Sequence, residues 1–350
     1  MSGPAAAEQA LLSEGHALTP LDKPRFTSAH IVRWMAAQQN WDRIHFDQSF
    51  CRDIAGLDAP LINGALKQHL IVQFLAKALP GAWVWRLDYQ FIGPDHVGHR
   101  LQVRGTAGRR TARAGRVFVN VAVQIVNLDR AEVTTRGDAV VVLDGSGSSL
   151  LDALDLDAPP GLALPLHIAP AEATVDAHVN ARLGSDLDVR ESRYPVDLSR
   201  LRLFAEAVMD LDPLHYDPAA ASPWGGVVAP PLFPLHGLEA LPGSYPLGEA
   251  PDAQGREGVN EVGRDLGPMF GFSPRGGVNG GNRVQVHSLV RVGERIRARS
   301  VLAGARRRTG SRGGEMMIFE TLNEYGETGG RPLLTERQTV VIRLGVPRAE

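Results

Sequence analysis

Asp210-Leu211-Asp212-Pro213-Leu214-His215-Tyr216-Asp217 has the same layout as Asn40-Trp41-Asp42-Arg43-Ile44-His45-Phe46-Asp47, far upstream in the same chain. Each stretch ends a run with helical spacing. Each then presents a short polar side chain, a histidine five residues later and an aspartate two residues after that. The surroundings repeat as well. Ahead of the first stretch, Thr27 or Ser28 can cap a helix over 29–39 with Ile31, Trp34 and Met35 on one face; ahead of the second, Asp197 can cap one through Leu198, Leu201, Phe204, Ala205 and Val208. After the first comes a longer apolar helix over 61–79, with Leu66, Leu70, Phe74 and Ala78 on one stripe and Pro80-Gly81 as its stop. After the second, a shorter apolar run lies around 232–241. Strands follow in both: 83–92, 101–105, 116–127 and 131–143, then 282–292, 294–305, 315–324 and 333–344. The alternation is cleanest where Val117, Val119, Val121, Val123 and Ile125 share a face. Helix, motif, helix, antiparallel sheet therefore occurs twice. An α+β fold in which each sheet wraps one long helix satisfies that order.

The division expected from this pattern is a flexible tail over 1–24, a first copy over 25–144, a linker over 145–194 and a second copy over 195–350. The linker is marked by Gly145-Ser146-Gly147-Ser148-Ser149 and Ala158-Pro159-Pro160-Gly161. A Gly- and Pro-rich excursion over 242–281 reads as a lid or wall of a site. The tight basic run Arg306-Arg307-Arg308 reads as part of a hairpin turn.

Composition narrows the function. The 350 residues are 43% hydrophobic and 22% charged, ordinary values for a soluble globular chain. A formal net charge of -2 offers no field for nucleic acid or an anionic membrane. The single cysteine, Cys51, excludes an intrachain disulfide and fits a reducing cytoplasm. No stretch approaches the roughly 18 apolar residues of a membrane span, and the first residues lack the basic and apolar regions of a signal peptide. No phosphate loop, dinucleotide fingerprint or metal-ligand spacing is present; His96 and His99 are close but lie in a Gly/Pro loop.

Specific residues carry a resemblance. Asp210-Leu211-Asp212-Pro213-Leu214-His215, preceded by Phe204-Ala205-Glu206-Ala207, resembles the signature of MaoC-like (R)-specific enoyl-CoA hydratases and dehydratases. Ala229-Pro230-Pro231-Leu232-Phe233, Arg275-Gly276-Gly277-Val278-Asn279-Gly280-Gly281-Asn282 and Thr335-Glu336-Arg337-Gln338-Thr339 are similar to the fatty-acid-synthase-type dehydratase half of double-hotdog members. The 40–47 motif, Leu61-Ile62-Asn63-Gly64 and the strand at 83–92 resemble the other half, seen in hydroxyacyl-thioester dehydratases of the mitochondrial type. The order of halves is reversed relative to members in which the synthase-type half comes first. The resemblance implies a double hotdog and a cofactor-free hydro-lyase of fatty acid metabolism. It further implies an acyl-CoA or acyl-carrier-protein thioester as substrate, and a cytoplasmic homodimer as the usual assembly. Arg275, beside Gly276 and Gly277, is a candidate partner for a CoA phosphate.

Hydration of a double bond conjugated to a thioester needs a base for water, an acid for the alpha carbon, and donors already aimed at the enolate-like oxygen. In the resemblance Asp210 and His215 form the base dyad of the second copy. Asn40 takes the aspartate's place beside His45, and an amide accepts no proton. Gly64 matches the glycine whose N–H meets the thioester oxygen at the start of the central helix, whereas Pro231, with no N–H, falls in that place in the second copy unless Leu232 or Phe233 substitutes. The halves thus lack different components. This reading favours His45, Asn40 and Gly64 as the working set, with Asp210 and His215 in a supporting half. The alternatives are a non-catalytic acyl-binding partner of a separate hydratase, or a hotdog isomerase or cyclase. Asp47 and Asp217 read as loop or cap residues.

Overall fold

The computed structural model describes residues 13–145, 150–239, 266–271, 277–310 and 314–344. The first copy opens with helix α1 (Ser28–Gln38) and has α2 (Gly64–Ala78) at its centre. Asn63 starts α2 by accepting the Ala65 N–H on its side-chain oxygen at 2.8 Å. Every residue from Leu66 to Leu75 is buried, so α2 is enclosed all round, not along one stripe. That forces partners on its polar side chains: the Lys67 ammonium pairs with Asp95 at 2.9 Å, and Asp95 also accepts from Asn127 and Thr134. The corresponding opening helix of the second copy is α3 (Leu198–Ala207), capped by Asp197.

Among the described residues ten strands make one antiparallel sheet: β1 (Leu21–Asp22), β2 (Trp83–Phe91), β3 (Leu101–Arg113), β4 (Arg116–Asn127), β5 (Glu132–Asp144), β6 (Asp186–Glu191), β7 (Gly277–Val286), β8 (Ile296–Thr309), β9 (Glu315–Glu327) and β10 (Pro332–Arg343). Their order is β1-β3-β4-β5-β2-β7-β10-β9-β8-β6. The copies join where β2 pairs β7, from Arg86 opposite Gln285 to Gln90 opposite Gly281. One hydrophobic core runs through both, and Trp34 of α1 meets Phe204 of α3 edge-on at 5.7 Å. This is the α+β architecture expected from the duplicated order.

Local differences have plain causes. Residues in the stretch read as a tail are packed: Leu18 is buried with its N–H on Gly105 O at 2.9 Å, and Lys23 N–H reaches Leu101 O at 3.0 Å. β6 falls within the stretch read as linker and pairs β8. β3 continues to Arg113 instead of ending at 105. Arg306-Arg307-Arg308 lies in β8, not in a turn, because Glu320, Asp176 and Glu172 pair with the three guanidinium groups. β7 begins earlier and ends earlier than expected, since the chain turns at His287 and Ser288, whose N–H groups share Leu333 O. Of the run at 232–241, Phe233–His236 is a short 3-10 turn. Residues 240–265 and 272–276, including Arg275, lie outside the described residues, as do 1–12 and 146–149.

Tyr89, on the joining strand, needs glycine on both sides. A Cβ at Gly137 of β5 would stand 2.1 Å from Asp88 O and 2.7 Å from Tyr89 Cα, and one at Gly281 of β7 would stand 2.3 Å from Tyr89 O. Backbone cannot yield there as a side-chain tip can. Gly137→Ala is therefore expected to cost at least about 2 kcal/mol in urea unfolding. Gly93→Ala, whose Cβ would find its nearest atom at 3.5 Å, is the near-neutral control. Equal stability of the two variants would refute this account of the joint.

Candidate active site

Both motifs are built by the same local moves. α1 and α3 end with a residue in the left-handed region, Gln39 at φ 57° and Met209 at φ 58°. The next N–H reaches back to close the helix, Asn40 to Met35 O at 3.1 Å and Asp210 to Ala205 O at 2.8 Å. Asp42 and Asp212 then cap 3-10 turns by accepting the Ile44 and Leu214 N–H groups at 3.3 and 3.0 Å. Each turn ends on its histidine. His45 Nδ1 lies 2.9 Å from Leu61 O, and His215 Nδ1 lies 2.9 Å from Val228 O. A carbonyl only accepts, so in each neutral ring Nδ1 carries the proton and Nε2 presents a lone pair.

What faces Nε2 separates the copies. In the first, the Asn63 side-chain amide donates to His45 Nε2 at 2.9 Å; its orientation is set because its oxygen already holds the Ala65 N–H. Asn40 is fully buried, with its oxygen on the Asp42 N–H at 3.1 Å, and its Nδ2 meets no partner among the described residues. Gly64 starts α2, but the space a side chain would take is filled by the Phe91 ring, 2.9 Å from an added Cβ. Packing against Phe91 is thus one reason for a glycine there.

In the second copy, His215 Nε2 faces the Asp210 carboxylate at 3.7 Å. That is too long for a direct hydrogen bond. Two acceptors at this separation leave room for one donor between them, since a water oxygen can stand at roughly 2.8 Å from both. Burial raises the Asp210 pKa, yet His215, the Asp212 N–H and the Lys23 ammonium outweigh it and hold the carboxyl below its usual value. Both residues open on a cavity of about 290 Å³. Its walls come from both copies: Val72, Gln73 and Lys77 of α2 with Trp83 and Val84 on one side, and Leu214, Trp224, Pro231, Val286 and Leu289 on the other. Pro231 is thus at the cavity as the sequence implies. The Phe233 N–H is engaged by Pro230 O at 2.9 Å, which leaves Leu232 as the N–H of that turn.

Other polar residues have structural partners. Asp47 caps the six-residue helix Gln48–Asp53, and the Phe50 N–H with Ser49 and Arg43 holds its carboxyl down to about 2. Asp217 accepts the Ala219 N–H at 2.8 Å. Burial pushes the Cys51 thiol up to about 11, far from a nucleophile's range. His96 Nδ1 is fixed by Ala59 O at 2.8 Å. Among the described residues no group of three His, Cys, Asp or Glu side chains is arranged to hold a metal, and no helix is long and apolar enough to cross a membrane. Sequence reasoning passed over Gln73, Lys77 and Trp224. Gln73 did carry a signal, being a polar residue one position from Phe74 on a helix otherwise read by its apolar stripe.

Residues 183–336 match the family model described as the FAS1-like dehydratase domain region. No curated protein matches the chain. Among solved structures, a MaoC domain protein dehydratase from Chloroflexus aurantiacus superposes with a TM-score of 0.60 at 11% identity, covering 95% of each chain. A conserved hypothetical protein from Mycobacterium tuberculosis, described as having a double hotdog fold, gives 0.56 at 12% identity over 95% of this chain and 97% of that one. A MaoC-like dehydratase from Phytophthora capsici gives 0.52 at 12% identity, covering 95% and 97%. The chain therefore has the double-hotdog fold, and its second half matches the FAS1-like dehydratase region.

Proposed function

We propose that the protein is an acyl-thioester hydratase or dehydratase that adds water to a 2-enoyl thioester, or removes it from the 3-hydroxyacyl thioester, at the Asp210–His215 site. The observation that carries this reading is the pair of acceptors 3.7 Å apart on the wall of a cavity. One water between them donates to each. As its oxygen bonds the beta carbon, His215 Nε2 takes a proton and the double-bond electrons move to the alpha carbon and thioester oxygen. The imidazolium then returns a proton to the alpha carbon, so hydrogen and hydroxyl arrive on one face. Asp210 stays ionised, orients the water and stabilises the imidazolium. The Leu232 N–H is the candidate donor to the thioester oxygen in the place where Pro231 has none.

This ranks the copies opposite to the sequence reading, because the lone pair of His45 is already engaged by Asn63. His45, Asn40 and Gly64 become the supporting set, with Asn40 and Gly64 shaping the first copy. The copies are taken as 25–144 and 195–350 joined by 145–194. The substrate is an acyl-CoA or acyl-carrier-protein thioester, no cofactor takes part, and the assembly is a cytoplasmic homodimer. Pro231 at the cavity favours a second reading, an acyl-binding partner without turnover.

Absorbance of crotonyl-CoA and longer enoyl-CoA thioesters tests the proposal. His215→Ala and Asp210→Asn are each expected to lower kcat by about 100-fold or more, while His45→Ala keeps most of the activity. Binding of these thioesters without turnover by the wild-type chain would select the acyl-binding reading. Loss confined to His45→Ala would restore the first copy as the site.

The cavity also sets acyl preference. The Trp83 and Trp224 rings stack at 6.2 Å, and Trp83 is anchored through its N–H to Val286 O at 3.1 Å. Trp224→Ala opens that wall. The ratio of kcat/KM for longer over shorter enoyl-CoA substrates is expected to rise about tenfold, the scale of a methylene or two in an apolar pocket. An unchanged ratio would remove Trp224 from the acyl wall.

A further inference from the structure

Lys23 stands on the segment that follows β1, just ahead of the first copy, yet its ammonium ends at the motif of the second. It is buried, and it donates to Met209 O at 3.1 Å and to the side-chain oxygen of Gln73 on α2. Gln73 in turn donates to Val208 O at 2.7 Å and lines the cavity. Met209 holds the left-handed conformation that turns the chain from α3 into the motif, and a non-glycine residue there carries strain. The next peptide is gripped from both ends, by Lys23 on Met209 O and by Ala205 O on the Asp210 N–H. A lysine ahead of the first copy and a glutamine within it thus fix the two carbonyls that precede the carboxylate of the second.

We propose that Lys23 is a positioning residue for the Asp210–His215 site: its ammonium locks the Met209–Asp210 peptide across the joint between the copies and supplies the cation that faces Asp210. The inference rests on the site assigned above. Burying an ammonium is costly unless it gains charge-assisted hydrogen bonds or an opposite charge, and Lys23 has two such bonds with Asp210 as its electrostatic neighbour. Burial, helped by Lys77 of α2 and opposed by Asp210, brings its pKa down to about 8. The charged groups around it are therefore Lys77 on one side and Asp210, with His215 behind it, on the other. As pH rises through about 8, Lys23 loses its charge and Asp210 loses a neighbour that favours its ionised form.

Two measurements on the full chain test this, and they separate the inference from the functional reading. The first needs no turnover: the His215 ring is followed by histidine-selective NMR from pH 5 to 10. The wild type is expected to show a second inflection near pH 8, transmitted through Asp210, which is absent from Lys23→Gln and from Lys23→Arg, where the guanidinium stays charged. An inflection that persists in Lys23→Gln, or is missing from the wild type, would overturn the proposal. The second is the pH profile of enoyl-CoA hydration. Lys23→Gln is expected to lower kcat about tenfold with KM within about twofold, whereas Lys23→Arg keeps activity and moves the basic limb above pH 8. A purely structural lysine would leave the limb in place in Lys23→Arg, and that result would also overturn the proposal. Absence of turnover in the wild type would refute the hydratase reading, while the NMR titration would still decide the role of Lys23.

Discussion

The pairing of β2 with β7 is the constraint on which the rest depends. Five residues of each strand, in antiparallel register, turn two sheets into one. Without that seam α2 would not lie against the second motif, and the cavity at Asp210 and His215 would lose the wall formed by Val72, Gln73, Lys77 and Trp83. In the proposed assignment the chemistry residues come from one copy and much of the cavity wall from the other. A duplicated chain holds this arrangement permanently, which a dimer of single units achieves only by association.

Within that frame, one hydrogen bond distinguishes the copies. Both histidines are held alike through Nδ1, by Leu61 O and by Val228 O. In the first copy the residue that caps α2, Asn63, also donates to Nε2 and occupies its lone pair. In the second copy Pro230-Pro231 stands before the 3-10 turn Phe233–His236, no capping amide reaches His215 there, and an aspartate faces the lone pair instead. The same substitutions that deprive the second copy of a glycine donor thus leave its histidine open. A helix cap and a base compete for one nitrogen, and each copy resolves the competition differently.

Much of this was legible in the sequence. The duplicated order of helix, motif, helix and sheet reads directly from period and capping, because α1, α3 and β4 follow their hydrophobic patterns closely. The spacing from Asp210 to His215 made the two a candidate pair, and their side chains lie 3.7 Å apart. The contacts on which we rank the copies were not legible. Gly64 looked like an oxyanion donor, but whether a glycine serves a ligand or a packed ring such as Phe91 depends on contacts far away in sequence. Asn63 looked like a cap and is one; nothing in its identity announces that its amide also meets His45. Lys23 was read as tail because the segment is short and weakly patterned, and β1 is held chiefly by pairing to β3.

The seam also has a device that fixes its register. Asn282 of β7 lies opposite Tyr89 of β2, and its side-chain amide donates to Glu336 of β10 at 2.6 Å. Asn323 of β9 donates to the other Glu336 oxygen at 2.9 Å, and Ser300 of β8 donates to Asn323 at 2.7 Å. Tyr89 itself donates to Gln68 of α2. All of these side chains are buried. Slipping β7 by one residue would turn Asn282 to the opposite face of the sheet and take a donor from a buried carboxylate. The apolar residues of the core tolerate rearrangement, whereas a carboxylate that depends on two particular amides does not. The network therefore favours a single register at the joint, and through it a single placement of α2 against the Asp210–His215 pair.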